Sequence, residues 1–205
     1  MKESEQYKFS RIGGVLCLDF TNTVSWHASH RPTEHLNDFC DLLRWSNECG
    51  IIDPHTELVL SEGAERNPAG ALTILTRARK LREGLYRIFV AVSQRKSPGR
   101  PDMQLLNETL DQAPLRFEVQ YGESGFSSKR TTGGSEIATV LGPVAWSAAE
   151  LLTSENLERI KRCVDDTCGW LFLDNTKNRS RRWCDMGDCG SRAKAKRYYQ
   201  RKTKK

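Results

Sequence analysis

The sequence has no long apolar run. Nothing in it approaches the ~18 consecutive apolar residues that a membrane helix requires. The longest run near the start, 13–20, is short and contains Asp19. The first ten residues include Lys2, Glu3, Glu5 and Lys8, which is unlike a secretory signal. There is no phosphate loop, no nucleophile elbow and no paired-histidine helix motif, so no enzyme is expected. Histidine is scarce, with four residues and none beyond His55. These absences predict a cytoplasmic chain without a membrane partner, in a compartment where disulfides are disfavoured. Apolar residues make up 38% and charged residues 28%, enough to bury a core and to exclude global disorder. The length suits one domain, or one domain with a small module attached.

Charge is present in excess but unevenly. Residues 1–158 hold 17 Lys/Arg and 21 Asp/Glu, whereas residues 159–205 hold 15 and 5. An acidic body thus carries a strongly basic end. Such asymmetry points to an anionic partner, most often nucleic acid.

Four of the seven cysteines fall inside the basic segment. Cys163 and Cys168 are separated by four residues, as are Cys184 and Cys189, with fifteen residues between the pairs. Two equal spacings around a short insert form a metal-site pattern. Zinc favours four ligands in a tetrahedron, and thiolate sulfur suits it. Without a nearby histidine the site is all-cysteine and closed, hence structural. One Zn2+ per chain is expected. Four unrelated thiols, or two disulfides, fit a cytosolic chain with paired spacings less well.

The segment between the pairs reads as a folded module. Residues 169–173 are strand-like, 174–178 carry turn chemistry, and 179–183 can return as a second strand. Ser191 is a good N-cap for a helix over 193–201. Knuckle, hairpin and helix make a treble-clef-like arrangement that the metal would fold. Arg181 and Arg182 on the returning strand, with Arg192, Lys194, Lys196, Arg197 and Arg201 on the helix, form a candidate nucleic-acid surface. On a helix, Lys194, Arg197 and Arg201 share a face.

These residues resemble a known family. Arg162-Cys163, Cys168-Gly169-Trp170-Leu171-Phe172-Leu173-Asp174, Arg181-Arg182-Trp183-Cys184-Asp185-Met186 and Cys189-Gly190-Ser191-Arg192-Ala193-Lys194 are similar to the CGNR zinc finger, with Ser191 where the family motif has Asn. Residues 13–24, 81–87 and 143–152 resemble its partner domain, ABATE. The resemblance implies a bacterial, stress-linked transcription regulator.

The body reads as mainly helical. Thr33 is expected to cap a helix reaching about residue 50. Asp53-Pro54 and Asn67-Pro68 open two more. Leu72, Leu75, Leu81, Leu85, Ile88 and Val92 recur at helical spacing. A helix over 102–112, a hairpin from 115–121 to 126–131, a loop at 131–135, and helices over 143–152 and 154–162 follow. The predicted fold is therefore mainly α: a multi-helix N-terminal domain with a β-hairpin over 1–155, and a treble-clef-like four-cysteine zinc finger of hairpin and helix over 156–205.

Three further groups stand out. Asp19, Asn22 and Thr23 share a face if their stretch is helical. They can bind a small effector or make structural hydrogen bonds. Trp26, His27, His30 and His35 cluster in a predicted loop without carboxylate or cysteine partners at ligand spacing, so a second metal site is disfavoured. Cys17, Cys40 and Cys49 have no paired spacing and read as inert thiols. The leading reading is a regulator whose body senses or dimerises, as a homodimer or through an effector, and whose finger binds double-stranded DNA. The alternatives are an RNA-binding or ribosome-associated protein, and a small-ligand-binding protein whose finger is structural or contacts protein.

Overall fold

Two asparagine or aspartate residues followed by proline set helix starts in the body. Asp53 accepts from the Thr56 amide at 2.7 Å and Asn67 from the Gly70 amide at 3.0 Å. Each satisfies an amide left unpaired by the first turn, and the following proline has no amide to satisfy. These caps open α3 (Pro54–Arg66) and α4 (Pro68–Ser93) in the computed structural model, which describes residues 7–122, 125–132 and 135–202.

The 26-residue α4 is the central element. Leu75, Ala78, Leu81, Leu85, Ile88 and Phe89 form its buried stripe. Around it pack α1 (Leu16–Thr21), α2 (Phe39–Glu48), α5 (Arg100–Gln112) and α6 (Glu136–Leu152). Trp45, Phe20, Phe89 and Phe172 are the largest fully buried side chains, and the Phe20 and Trp45 rings lie 4.9 Å apart. Leu72 fits the helical period but is exposed; Ala71, Ile74 and Leu75 face the core at that end of α4.

Two short strands, β1 (Val24–Ser25) and β2 (Thr33–Glu34), pair antiparallel. Thr33 therefore lies in a strand and does not cap a helix; α2 starts later, with Asp38 accepting from the Asp41 amide. The strand places Glu34 on Arg82 of α4 in two hydrogen bonds of 2.6 and 2.7 Å. The hairpin appears as expected, with β3 (Leu115–Gly122) and β4 (Gly125–Thr132) in register from Leu115↔Thr132 to Gly122↔Gly125. Residues 131–132 belong to β4 rather than to a loop; 133–134 lie outside the described residues. Helix α6 begins seven residues before Pro143 and runs through it. An internal proline costs a helical hydrogen bond, but Ala138, Val140, Leu141, Val144, Ala145 and Ala148 bury along one side, and that burial outweighs the cost. Residues 154–162 form no α-helix. Ser154 caps a single 3₁₀ turn (Glu155–Arg159), and the chain continues as β5 (Ile160–Arg162).

Strand β5 pairs antiparallel with β6 (Leu171–Leu173), which is not the pairing expected from sequence. The expected second strand, 179–183, has no regular structure. Ile160, Leu171 and Leu173 enter the same core as Phe20, Leu85 and Val144. The β5–β6 ribbon is thus packed on α1 and α4, and one apolar core extends from the helices into the cysteine-bearing segment. A last helix, α7 (Ser191–Lys202), follows a π turn (Met186–Gly190).

Candidate metal centre and basic surface

The first cysteine pair is held by an aspartate-centred turn. Asp165 Oδ1 accepts from the Thr167 amide, the Thr167 hydroxyl and the Cys168 amide at 2.8–3.2 Å. The next residue, Gly169, has φ +75°, and a Cβ there would meet the Ala28 amide at 2.8 Å. Only glycine combines that conformation with that approach. The Cys163 amide then donates to the Trp170 carbonyl at 2.8 Å, which brings the chain back into β6.

The second pair is positioned by Asp174, whose side chain is fully buried. Its carboxylate accepts from Lys161 Nζ at 2.6 Å, from the Thr176 amide and hydroxyl at 3.0 and 2.6 Å, and from the Arg181 amide at 3.0 Å. Burial alone would raise its pKa; these hydrogen bonds outweigh burial and hold it well below the usual carboxylate range. This explains why 179–183 is not a strand. The Arg181 amide turns to Asp174, and the Arg179 and Ser180 amides turn to the Thr176 carbonyl and hydroxyl, with Arg179 in the left-handed region at φ 48°. Arg181 donates to the Trp183 and Cys184 carbonyls, with its guanidinium 4.3 Å from the centre of the Phe172 ring. Asp185 caps the π turn by accepting from the Gly187 and Asp188 amides. That turn carries Cys189 and runs straight into α7, so Asp185 does the capping expected of Ser191, whose hydroxyl donates to the Met186 carbonyl.

The sulfur atoms of Cys163, Cys168, Cys184 and Cys189 all lie within 4.8 Å of one another, and all four residues are buried. Sγ–Sγ separations are 3.6 Å for Cys168–Cys184 and 3.5 Å for Cys184–Cys189. A tetrahedron with Zn–S bonds of about 2.3 Å has edges of about 3.8 Å, so the thiols fit a zinc ion closely. Hydrogen bonds from Cys168 and Cys184 lower the Cys163 pKa, and the bond to Cys163 raises that of Cys184. Packed together, the four thiols cannot all ionise without a cation. All four tetrahedral positions are protein sulfur, so the single zinc is structural. Four thiolates around Zn2+ leave a charge of about −2. Arg192 meets this charge, donating to Cys189 Sγ at 2.8 Å and to Asp188 and Asp165. Lys161 instead serves Asp174.

The structure divides the seven candidate nucleic-acid residues. Arg181 and Arg192 are bound into the frame of the metal site. Lys194, Lys196, Arg197 and Arg201 lie on α7, where no residue is buried; Lys196 approaches Asp166 at 3.7 Å and Arg197 donates to its own helix at the Ala193 carbonyl. Arg182 stands over the Trp183 ring at 5.2 Å.

Asp19, Asn22 and Thr23 are buried and bonded within the protein. Asp19 accepts from the Gly13 amide at 2.8 Å. Asn22 clamps Leu171, donating to its carbonyl at 2.8 Å and accepting from its amide at 2.9 Å. Thr23 donates to the Phe20 carbonyl and accepts from Arg82. The histidines separate. His27 bonds Glu83 at 2.9 Å and lies on the Tyr86 ring, whereas His35 stacks on Tyr7 and bonds Ser25. Among the described residues, the four cysteines form the one cluster suited to a metal. Burial pushes the Cys17 thiol up to about 12 and the Cys49 thiol up to about 11, which suppresses reactivity; Cys40 is exposed. Sequence reading missed Asp174 as an organiser. The signal was present, an aspartate at the end of an apolar strand with threonine two positions on, which is an Asx-turn pattern.

No helix among the described residues is long and apolar enough to cross a membrane. A search of curated proteins returned no match. Two family models match. The CGNR zinc finger covers residues 159–202. ABATE, described as "Putative stress-induced transcription regulator", covers residues 14–155. The chain belongs to the ABATE family and carries a CGNR zinc finger at its C-terminal end.

Proposed function

We propose that the protein is a zinc-dependent, DNA-binding transcription regulator that grips double-stranded DNA with α7. The observation that carries this reading is a helix with no buried residue. Residues 191–202 hold Arg192, Lys194, Lys196, Arg197, Arg201 and Lys202 and no acid. A helix that is polar all round gains little from its own protein. This one is held at its first turn by the zinc site, with Arg192 turned to Cys189 Sγ, and presents Lys194, Arg197 and Arg201 outward, as a duplex-binding element requires. Lys194, Arg197 and Arg201 recur at three- and four-residue spacing and can follow a groove, while Lys202 adds phosphate attraction.

Binding of a labelled mixed-sequence duplex tests this. Neutralising about five phosphates gives a log–log salt slope of roughly −4 to −5. Replacing Lys194, Arg197 and Arg201 together by alanine should reduce the slope by about 3 and leave the zinc content at one per chain. Removing zinc with a chelator should abolish binding. Duplex affinity unchanged by the triple substitution would refute α7 as the gripping element. If a single Arg197→Ala costs about 1–3 kcal/mol on a preferred sequence and less on random duplex, α7 reads bases.

A further inference from the structure

Trp26, singled out in the sequence but outside the metal site, lies at the edge of a cleft where the body meets the finger. The cleft has a volume of about 620 Å3 and is lined by Trp26, Trp183, Arg182, Arg192, Lys196 and Arg197, among others. Trp26 is 38% exposed and has φ 56°. A bulky residue in the left-handed region is strained and persists where its surroundings enforce it. The Ser29 amide, donating to the Trp26 carbonyl at 2.8 Å, closes the turn that holds it. The Arg192 guanidinium lies 4.5 Å from the Trp26 ring centre, and Arg182 lies 5.2 Å from that of Trp183. Asp165 and Asp166 also line the cleft, paired with Arg192 and Lys196.

The cleft continues. Val164 and Arg182 also line a second hollow of about 330 Å3, shared with Ser93, Lys161, Arg162 and Arg181 and containing no carboxylate. Arg162 Nε is buried and has no hydrogen-bond partner among the described residues. The guanidinium also meets the Tyr86 hydroxyl, and a hollow walled by Lys161, Arg162, Arg181 and Arg182 without a carboxylate favours an anion.

We infer that this two-part cleft binds an unpaired stretch of a nucleic-acid strand, with bases against Trp26 and Trp183 and phosphates over Arg182 and Arg162. The inference rests on the nucleic-acid reading above and adds the strand state. An exposed indole, Trp26, and a half-buried one, Trp183, beside cations form a stacking platform of the kind single strands use. The bases of a closed duplex are stacked on one another and cannot reach Trp26. The run from one hollow into the next suits a chain better than a lone nucleotide.

The test uses full-length, zinc-loaded protein with three probes: a fifteen-residue oligothymidine, a fifteen-base-pair duplex and free thymidine monophosphate. Oligothymidine should bind and quench tryptophan fluorescence. Trp26→Ala should weaken it about tenfold, the loss of roughly one stacked base; Trp26→Phe should recover most of this; duplex affinity should change less than about twofold in both. If Trp26→Ala loses zinc, Arg182→Ala is measured instead and should lower the oligothymidine salt slope by about one. Equal oligothymidine affinity in wild type and Trp26→Ala, or an unchanged slope in Arg182→Ala where that is the variant measured, overturns the inference. Duplex binding without oligothymidine binding overturns it and leaves the proposed function standing. Binding of neither overturns both. Monophosphate binding as tight as oligothymidine shows a mononucleotide site and overturns the strand assignment.

Discussion

Replacing Asn22 by alanine should destabilise the body and the finger together. Strand β6 pairs with β5 along one edge. On its other edge the Leu173 amide donates to the Gly13 carbonyl, while the Leu171 amide and carbonyl meet the Asn22 side chain. Asn22 and Leu171 are both buried. Alanine would strand one donor and one acceptor, each at about 1–3 kcal/mol, for a total of about 2–6 kcal/mol. That is a large share of the roughly 5–15 kcal/mol that stabilises a typical domain. Urea denaturation followed by far-UV circular dichroism, with zinc release read in parallel by a chromogenic chelator, measures it. Both signals should move to lower urea by the same amount, because one core serves both halves. Asn22→Asp adds a control. Near neutral pH its second carboxylate oxygen would face the Leu171 carbonyl, so it should be at least as damaging as alanine. In acid, the protonated carboxyl can donate to that carbonyl, and part of the loss should return relative to Asn22→Ala. A loss below about 0.5 kcal/mol for Asn22→Ala, well under the cost of one stranded group, would refute the clamp, as would a shift in the zinc signal alone.

Burial raises the Asp19 carboxyl to about 6 from an ordinary 3.8. A raised acid binds its proton more tightly in the folded state, so the cost, about 3 kcal/mol, is present above pH 6 and fades as pH falls toward 3.8. Wild type should therefore gain stability relative to Asp19→Asn, by about 2.4 kcal/mol between about pH 7 and pH 4; parallel stability curves would show the assignment is wrong. Cys184→Ser should drop bound zinc from one per chain to near zero by metal analysis and free α7, while Ile160, Leu171 and Leu173 hold the β5–β6 ribbon on the core. Arg82 is buried against Glu34, and Arg82→Met should cost about 1–3 kcal/mol in denaturation, because Glu34 loses two charge-assisted hydrogen bonds but keeps Arg79 and the His35 and Leu36 amides; a cost under about 0.5 kcal/mol would show that the pair adds little.

The sequence by itself determined what depends on local chemistry. Equal cysteine spacings specify a zinc site because a tetrahedral ion needs two close pairs. Asp53-Pro54 and Asn67-Pro68 specify helix starts because cap and proline act within one turn. Charge segregation specifies a basic end because it is a matter of counting. Tertiary structure decided what depends on partners far along the chain. Residues 179–183 alternate like a strand, yet Asp174 and Thr176 take the amides of 179–181 and β6 pairs with β5 instead. Asp19, Asn22 and Thr23 look alike as an effector set, but Asn22 faces a strand edge 149 residues away, where its amide completes the sheet. Arg192 looks like its neighbours on a basic helix, and only the position of Cys189 turns it inward to the sulfur. Trp26 is an isolated aromatic in a sequence-level loop; it gains a cleft because the core is shared across the junction and brings the finger beside it. Local spacing fixes which atoms can bind zinc, whereas the shared core fixes which of the remaining polar groups are used up inside the protein and which are left for a partner.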